Sequence, residues 1–272
     1  MKKIPLSVVV ITKNEEDNIA DCLKSVYWAD EIVVLDDYST DNTVNIARQY
    51  TDRVDLRKMD VEGRHRNYAY GLARNRWVLS LDADERVSPE LAGELKHFLA
   101  EEKHEFPAYS IPIRTYIGER VIRHGGWYPA PKVRLFMKDK FKYEEAEVHP
   151  RVFIEGEYSG RLKNDIIHYS YKDFQDFFNS LNNQTTLEAR KWFKEKRRIG
   201  LLKTCRKFVD RFLKAYVLKQ GFRDGFLGFM VSYTGGLYQL LSYAKYWEML
   251  QKRGQAPFDQ KGSDPFSPGE NR

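Results

Sequence analysis

The run Leu79-Ser80-Leu81-Asp82-Ala83-Asp84-Glu85 sets two carboxylates one residue apart at the mouth of a hydrophobic strand. Negative charge concentrated in this way is costly without a cation, and a divalent metal bridging to a diphosphate is the economical occupant. An Asp-x-Asp by itself is also a common surface turn or helix cap, and it is the position at the end of a buried strand that favours the metal. A second acidic run, Leu35-Asp36-Asp37-Tyr38-Ser39-Thr40-Asp41, ends another strand. Ser39 and Asp41 suit the turn and helix cap that must follow. Asp37 has no capping duty at that spacing, and a carboxylate there can accept a hydrogen bond from a pyrimidine imide. Third is Arg64-His65-Arg66-Asn67, a basic patch at the start of a helix, suited to a phosphate or to pairing with Asp37. For Arg64 a solvated face is the plainer reading, and Arg66 reads equally well either way.

These residues need elements that bring them together. The run LSVVVIT (6–12) is continuous and β-branched, as burial on both faces of a parallel sheet requires. A helix is expected from Asn14 or Glu15 through Tyr27, then a strand EIVVL (31–35), a helix capped by Ser39-Thr40-Asp41, and a short strand at 54–57. A helix over 63–74 and the strand WVLSL (77–81) follow, and Ser88-Pro89-Glu90 starts another helix. The alternation is that of an open, doubly wound α/β sheet, Rossmann-like, in which ligands sit beyond the carboxyl ends of the strands. Those ends carry Thr12-Lys13-Asn14-Glu15, Asp36-Asp37 and Asp82-Ala83-Asp84-Glu85. After Pro107 the pattern changes to short strands near 109–115, 132–137, 148–155 and 165–169, which would extend the sheet and build a second wall to the cleft. The sequence divides into a catalytic domain over 1–170, a helical extension over 171–250 and a disordered Pro/Gly/Ser-rich tail over 251–272.

The chain has 272 residues, of which 42% are hydrophobic and 31% charged, which excludes disordered, collagen-like and polytopic membrane classes. Cys22 and Cys205 are too few for a disulfide framework or a zinc cluster, so a reducing cytoplasm is the natural setting. The N-terminal apolar run is short and β-branched, unlike a signal peptide. The net charge of +6 is unevenly spread. Residues 190–223 hold thirteen basic side chains against two acids, so the remainder is net acidic. Over 199–217 the apolar residues recur at three- and four-residue spacing, while Lys203, Arg206, Lys207, Arg211 and Lys214 lie elsewhere around the helix. This amphipathic helix suits an anionic membrane surface, with a solvated helix packed on the domain as the plainer alternative. Residues 225–244 lack any charge but include four glycines, so a membrane-contacting helix is expected rather than a span. No nucleic-acid fold signature accompanies the basic residues.

The segments VVVITKNEEDNI, EIVVLDDYSTDNT, GRHRNYAYGLARNRWVLSLDADERVSPEL, PKVRLF, GFRDGFLGF and YAKYWE together resemble family 2 glycosyltransferases of the GT-A fold. Within that family they are most similar to the bacterial branch that includes lipopolysaccharide inner-core β-glucosyltransferases, over nearly the whole chain to about residue 250. The resemblance implies a nucleotide-diphospho-sugar transferase fold, a UDP-sugar donor and Mg²⁺ or Mn²⁺. It places Thr12 and Glu15 in the loop lining the nucleotide pocket, Asp37 at the uracil and Arg66 near base and phosphate. Asp82 would face the ribose or sugar and Asp84 the metal. That branch commonly reads Asp-Ser where this chain has Asp36-Asp37, as the wider family does.

Glycosyl transfer needs a stabilised diphosphate, a base for the acceptor hydroxyl and in-line placement of the two. The acidic cluster Tyr143-Glu144-Glu145-Ala146-Glu147-Val148-His149-Pro150 supplies the base, with Glu147 favoured and Glu145 second. Related sequences often read Val-His-Glu where this one has Val148-His149-Pro150. His149 is either a metal or diphosphate ligand or a core histidine. His168 reads as structural, and Trp127 and Tyr128 as acceptor-stacking or core aromatics. The function expected is inverting, metal-dependent transfer of a hexose to a lipid-linked saccharide such as lipopolysaccharide core. It would take place at the cytoplasmic face of a bacterial membrane, with peripheral association. Transfer to a polyprenyl phosphate, and a catalytically silent membrane-binding scaffold, are the alternatives.

Overall fold

In a strand buried on both faces, alternate residues serve different cores. The computed structural model, which describes residues 4–101, 103–145, 151–156 and 159–255 (253–255 as backbone only), shows this in β1 (Ile4–Thr12). Leu6, Val8 and Val10 enter one hydrophobic core, with Leu79, Leu81 and Leu91. Val9 enters a second on the opposite face, with Val33, Leu35, Val78 and Phe136. α1 (Ile19–Ser25) covers the first face and α3 (Glu62–Gly71) the second.

β1 is flanked in parallel by β2 (Ala29–Asp36) and β4 (Trp77–Asp82), and β2 by β3 (Val54–Leu56). The short α2 (Thr43–Ala47) links β2 to β3. Beyond β4 the sheet continues through β9 (Lys132–Met137), antiparallel to both β4 and β6 (Ala108–Ile111), and ends in β12 (Gly160–Arg161). This is an open mixed α/β sheet of seven strands. A second sheet has the order β5 (Glu85–Val87), β13 (Ile166–Tyr171), β7 (Ile113–Ile117) and β8 (Arg120–Val121), and β10 (Phe141–Tyr143) pairs with β11 (Val152–Ile154). The late strands thus extend the main sheet and build a second wall, as their sequence pattern implies.

Two boundaries differ from expectation for local reasons. The first helix begins at Ile19, because the backbone N–H groups of Asn14, Glu15 and Glu16 donate to Ser39 Oγ, Thr43 Oγ1 and Asp41 Oδ2. The loop after β1 is therefore stitched to the loop after β2 and cannot coil. The expected strand over 109–115 breaks at Pro112, which cannot donate to a ladder, and the two halves join different sheets. α4 (Pro89–Ala100) starts as read, with Ser88 Oγ accepting from Leu91 N at 3.1 Å.

The helices follow β13: α5 (Phe174–Lys194), α6 (Leu201–Leu213), a π-helical turn over Lys214–Leu218, a 3₁₀ turn over Gly221–Asp224 and α7 (Gly225–Gln255). α7 runs through to Gln255, so residues 251–255 continue a helix where a disordered tail was expected, while 256–272 lie outside the described residues. Leu227 and Val231 of α7 join Ile117, Ile122 and Phe177 in a third core, which seats the helices on the second sheet. Asp224 Oδ2 accepts the backbone N–H groups of Arg123 and His124, pinning the start of α7. Gly236 lets α6 approach closely, since a Cβ there would meet Phe208 O at 2.8 Å. Among the described residues no helix is long and apolar enough to cross a membrane.

Candidate active site

The carboxyl ends of β1, β2 and β4 open into a cleft of about 500 Å³, lined among others by Thr12, Glu15, Asp37, Arg66, Asp82 and Asp84. Six sequence-predicted residues therefore meet in one place. Asp37 is buried, and both of its oxygens have partners: Lys13 Nζ donates to Oδ2 at 2.7 Å and Met59 N to Oδ1 at 2.8 Å. Burial opposes its charge, but these bonds outweigh it and hold the carboxyl below its ordinary range. Lys13, rather than the basic patch at 64–66, is thus its counterion. Asp36 takes the turn role, accepting from both Ser39 N and Ser39 Oγ. Burial raises Glu15, while its bond from Asn18 Nδ2 opposes that.

Two wall groups have no hydrogen-bond partner, Thr12 Oγ1 and His65 Nε2, although both residues are buried. His65 Nδ1 lies 3.1 Å from Arg57 Nη1, and a guanidinium only donates, so Nδ1 accepts and Nε2 carries the proton. The cleft therefore holds an unused N–H donor and an unused hydroxyl, the kind of orphaned buried groups that call for a polar ligand.

Asp82 and Asp84 sit in different surroundings. Arg66 Nη1 and Nη2 each donate to Asp82 Oδ1 at 3.2 Å, and Arg134 Nη2 donates to Oδ2 at 2.8 Å. Burial would raise the Asp82 carboxyl, but Arg134 and then Arg66 outweigh it and keep it ionised. Arg134 is itself buried, set near the carboxyl end of β4 because Leu135 on β9 lies opposite Leu79. It also binds Glu85, a fully buried carboxylate whose Oε2 accepts Asp82 N at 3.0 Å. Burial pushes Glu85 up, Arg134 pulls it down, and the neighbouring Asp82 charge adds to the rise. Asp82 is thus bound internally on both oxygens, which leaves it poorly placed as a free ligand.

Among the described residues the Asp84 carboxylate has one hydrogen-bond partner, its Oδ2 lying 3.0 Å from His168 Nε2. His168 comes from β13, where it pairs opposite Glu85, and its Nδ1 is 2.9 Å from Ser170 Oγ. Burial alone would lower the imidazole, but the Asp84 hydrogen bond and charge raise it. His168, which its sequence context makes a structural residue, belongs to the cleft. Among the described residues no three His, Cys, Asp or Glu side chains converge as a metal cage. A carboxylate oxygen and an imidazole nitrogen nevertheless form a donor pair that fits Mg²⁺ or Mn²⁺, whose remaining positions phosphate oxygens and waters ordinarily fill.

Glu145 is half-exposed and receives Arg64 Nε at 3.1 Å. Arg64 also pairs with Asp60, so it is a salt-bridge residue at the rim. Glu147 and His149 lie outside the described residues. Tyr128 leaves the acceptor question for a structural duty, donating to Asp165 Oδ1 at 3.0 Å, and Trp127 packs beside the third core. Arg134, Glu85, His168 and Lys13 are the residues that motif reading passed over. The run PKVRLF held the signal for Arg134, since a charged residue inside an otherwise apolar strand needs a buried partner.

Fold and cleft together define an open α/β protein with a polar ligand cleft at the carboxyl ends of its strands. Residues 7–155, more than half of the chain, match the model of Glycosyl transferase family 2, and the chain belongs to that family. It is 30% identical to an uncharacterized glycosyltransferase of Rickettsia typhi over 264 residues, covering 93% of this chain and 89% of that protein. It is 26% identical to the lipopolysaccharide core biosynthesis glycosyltransferase LpsC of Rhizobium meliloti over 252 residues, covering 90% and 93%. Among solved structures it is similar to S. aureus TarS 1–349 in complex with UDP, with 16% identity, a TM-score of 0.45 and coverage of 97% and 95%.

Proposed function

We propose that the chain is an inverting, metal-dependent glycosyltransferase that moves a hexose from a UDP-sugar to a lipid-linked saccharide such as lipopolysaccharide core, at the cytoplasmic face of the membrane. The observation that carries this is the asymmetry of Asp82 and Asp84. One is neutralised inside the protein by two arginines, and the other is left at the cleft with only a histidine. Asp84 and His168 would hold Mg²⁺ or Mn²⁺, which as a Lewis acid offsets charge on the departing diphosphate. Asp37, fixed by Lys13 and Met59 N, keeps lone pairs for the uracil imide, and Thr12 Oγ1 and His65 Nε2–H are available to the nucleoside. Arg66 fixes Asp82, and through it the position of the strand end under the sugar. Glu147, or Glu145 once released from Arg64, takes the acceptor proton from the opposite side, as inversion requires.

The membrane part of the reading is supported by α6. Thr204, Phe208 and Phe212 turn toward α7, whereas Leu202 (87% exposed), Cys205, Val209 and Leu213 form an outward apolar stripe flanked by Lys203, Arg206 and Lys207. A stripe of this kind beside cations suits insertion at an anionic lipid interface. Calorimetry with UDP tests the site: Mn²⁺ should tighten binding at least tenfold, and Asp84→Asn should remove that gain. Equal affinity with and without metal would overturn the proposal.

A further inference from the structure

A second cavity of about 400 Å³ lies among α5, α6, α7 and the loop after β8, away from the nucleotide cleft. Its wall carries three cations, Arg211 and Lys214 from α6 and the π-helical turn, and Lys219 just beyond. Among the described residues none of the three has a carboxylate within salt-bridge distance. The rest of the wall is largely aromatic or apolar, notably Trp127, Tyr171 and Phe177, with Gln184 and Thr234 as uncharged polar side chains. Arg211 sits over the Tyr238 ring at 5.9 Å, which orients the guanidinium without neutralising it.

The backbone is arranged around this cavity. The π-helical turn sets Lys214 and Ala215 in the wall, and turns of that type concentrate at functional sites. Gly126, at φ +87°, has Lys219 folded over it, since a Cβ there would meet Lys219 Nζ at 2.4 Å. Gly235 of α7 faces open space, with nothing within 4 Å of an added Cβ. Ser232, buried beside Gly125, has an Oγ with no partner. Just outside, Leu218, Phe222 and Phe226 are exposed. Uncompensated cations over an aromatic floor, rimmed by exposed apolar side chains, complement an amphiphile with an anionic head.

We infer that this cavity binds the phosphate-bearing headgroup of an anionic lipid, with the acyl chains lying against the exposed rim. The inference deepens the membrane part of the reading above and does not depend on the transferase chemistry. β13 joins the two sites: His168 meets Asp84 in the cleft, and Tyr171 lines the headgroup cavity three residues on, about 10 Å of strand. A headgroup held there would seat the lipid surface against the same strand that borders the donor site.

The test uses the full chain, calorimetry with monomeric dihexanoyl phosphatidylglycerol, and co-sedimentation with phosphatidylcholine vesicles with and without phosphatidylglycerol. The wild type should bind the short-chain lipid one to one and sediment only with the anionic vesicles. Gly235→Leu, which fills the cavity and leaves every charge in place, should weaken lipid binding at least tenfold with an unchanged melting temperature. Lys214→Gln with Lys219→Gln, both at exposed positions, should do the same and covers the case in which Gly235→Leu fails to fold. Lys203→Gln with Arg206→Gln should weaken vesicle sedimentation and leave short-chain binding unchanged. Wild-type sedimentation with full short-chain binding in both cavity variants would overturn the cavity and leave membrane association standing. No sedimentation of the wild type would overturn both. Inorganic phosphate binding as tightly as the lipid would overturn the lipid assignment in favour of a free phosphate.

Discussion

The nucleotide cleft and the C-terminal helices use the same side-chain types in opposite ways. In the cleft, cations are bound to carboxylates: the buried Arg134 spans Asp82 and Glu85, Arg66 spans Asp82 and Glu62, and the half-exposed Lys13 holds the buried Asp37. On α6 and just after it, Arg211, Lys214 and Lys219 line a cavity and, among the described residues, have no carboxylate partners, beside exposed leucines and phenylalanines. Internal neutralisation fixes geometry, because a desolvated charge pair tolerates little displacement. Uncompensated charge beside apolar surface leaves energy to be gained only when something else is present. The first region is organised for chemistry and the second for association.

Removing one member of the buried network tests that contrast most severely. Arg134→Met leaves Asp82 and Glu85 without their shared counterion and should destabilise the fold by about 3–5 kcal/mol in chemical denaturation. A loss below about 1 kcal/mol would show that the cleft is no more tightly organised than the helices. Asp84→Asn should behave differently, because among the described residues its carboxylate has a single hydrogen-bond partner, His168. Stability should stay within about 0.5 kcal/mol, while kcat for UDP release should fall about a thousandfold, some 4 kcal/mol of transition-state stabilisation. Chelation with EDTA should reproduce the Asp84→Asn loss in the wild type and add nothing in the variant.

For the helices the expected pattern is reversed. Val209→Ser with Leu213→Ser strips apolar side chains that are already half in solvent. Denaturation midpoints should hardly move, and partitioning to anionic vesicles should weaken about thirtyfold or more, since the two apolar side chains together contribute about 2–4 kcal/mol when they enter lipid. A stability loss with no change in vesicle binding would mean that the stripe packs against protein.

Much of this was legible in the sequence, and the reason it was legible differs by region. β1, β2 and β4 follow from runs rich in apolar residues, and the cleft residues Thr12, Asp37, Asp82 and Asp84 follow from their place at the ends of those runs. Arg134, Glu85 and His168 were not legible, because each acquires its role from a strand pairing made over long separations: β9 beside β4, and β13 beside β5. No local pattern encodes which strand lies beside which. On α6 the three- and four-residue spacing revealed an amphipathic helix but merged two apolar stripes. Only packing shows that Phe208 and Phe212 face α7 while Val209 and Leu213 face outward. The short first helix had the same kind of cause, since the N–H groups of residues 14–16 are taken by side chains some 25 positions away.

The smallest effect expected is one of pH, and it separates the two regions by chemistry alone. Burial first, and the nearby Arg57 second, depress the His65 imidazole below its ordinary value, with Asp37 and Asp60 opposing. Below the unperturbed histidine pKa of about 6.5 the unfolded chain then takes up a proton that the folded chain resists, so this group erodes stability as pH falls. His65→Gln keeps an N–H donor and removes the titration. Between pH 7.5 and 5.5 the variant should therefore lose less stability than the wild type in parallel denaturation curves, and an identical loss would show that His65 does not resist protonation in the fold. The docking face proposed above offers no histidine among the cations invoked for it, so sedimentation with anionic vesicles should be flat over the same interval. A vesicle affinity that instead followed the histidine range would place a titrating group at the lipid contact and erase the distinction between a pH-sensitive cleft and a permanently cationic docking face.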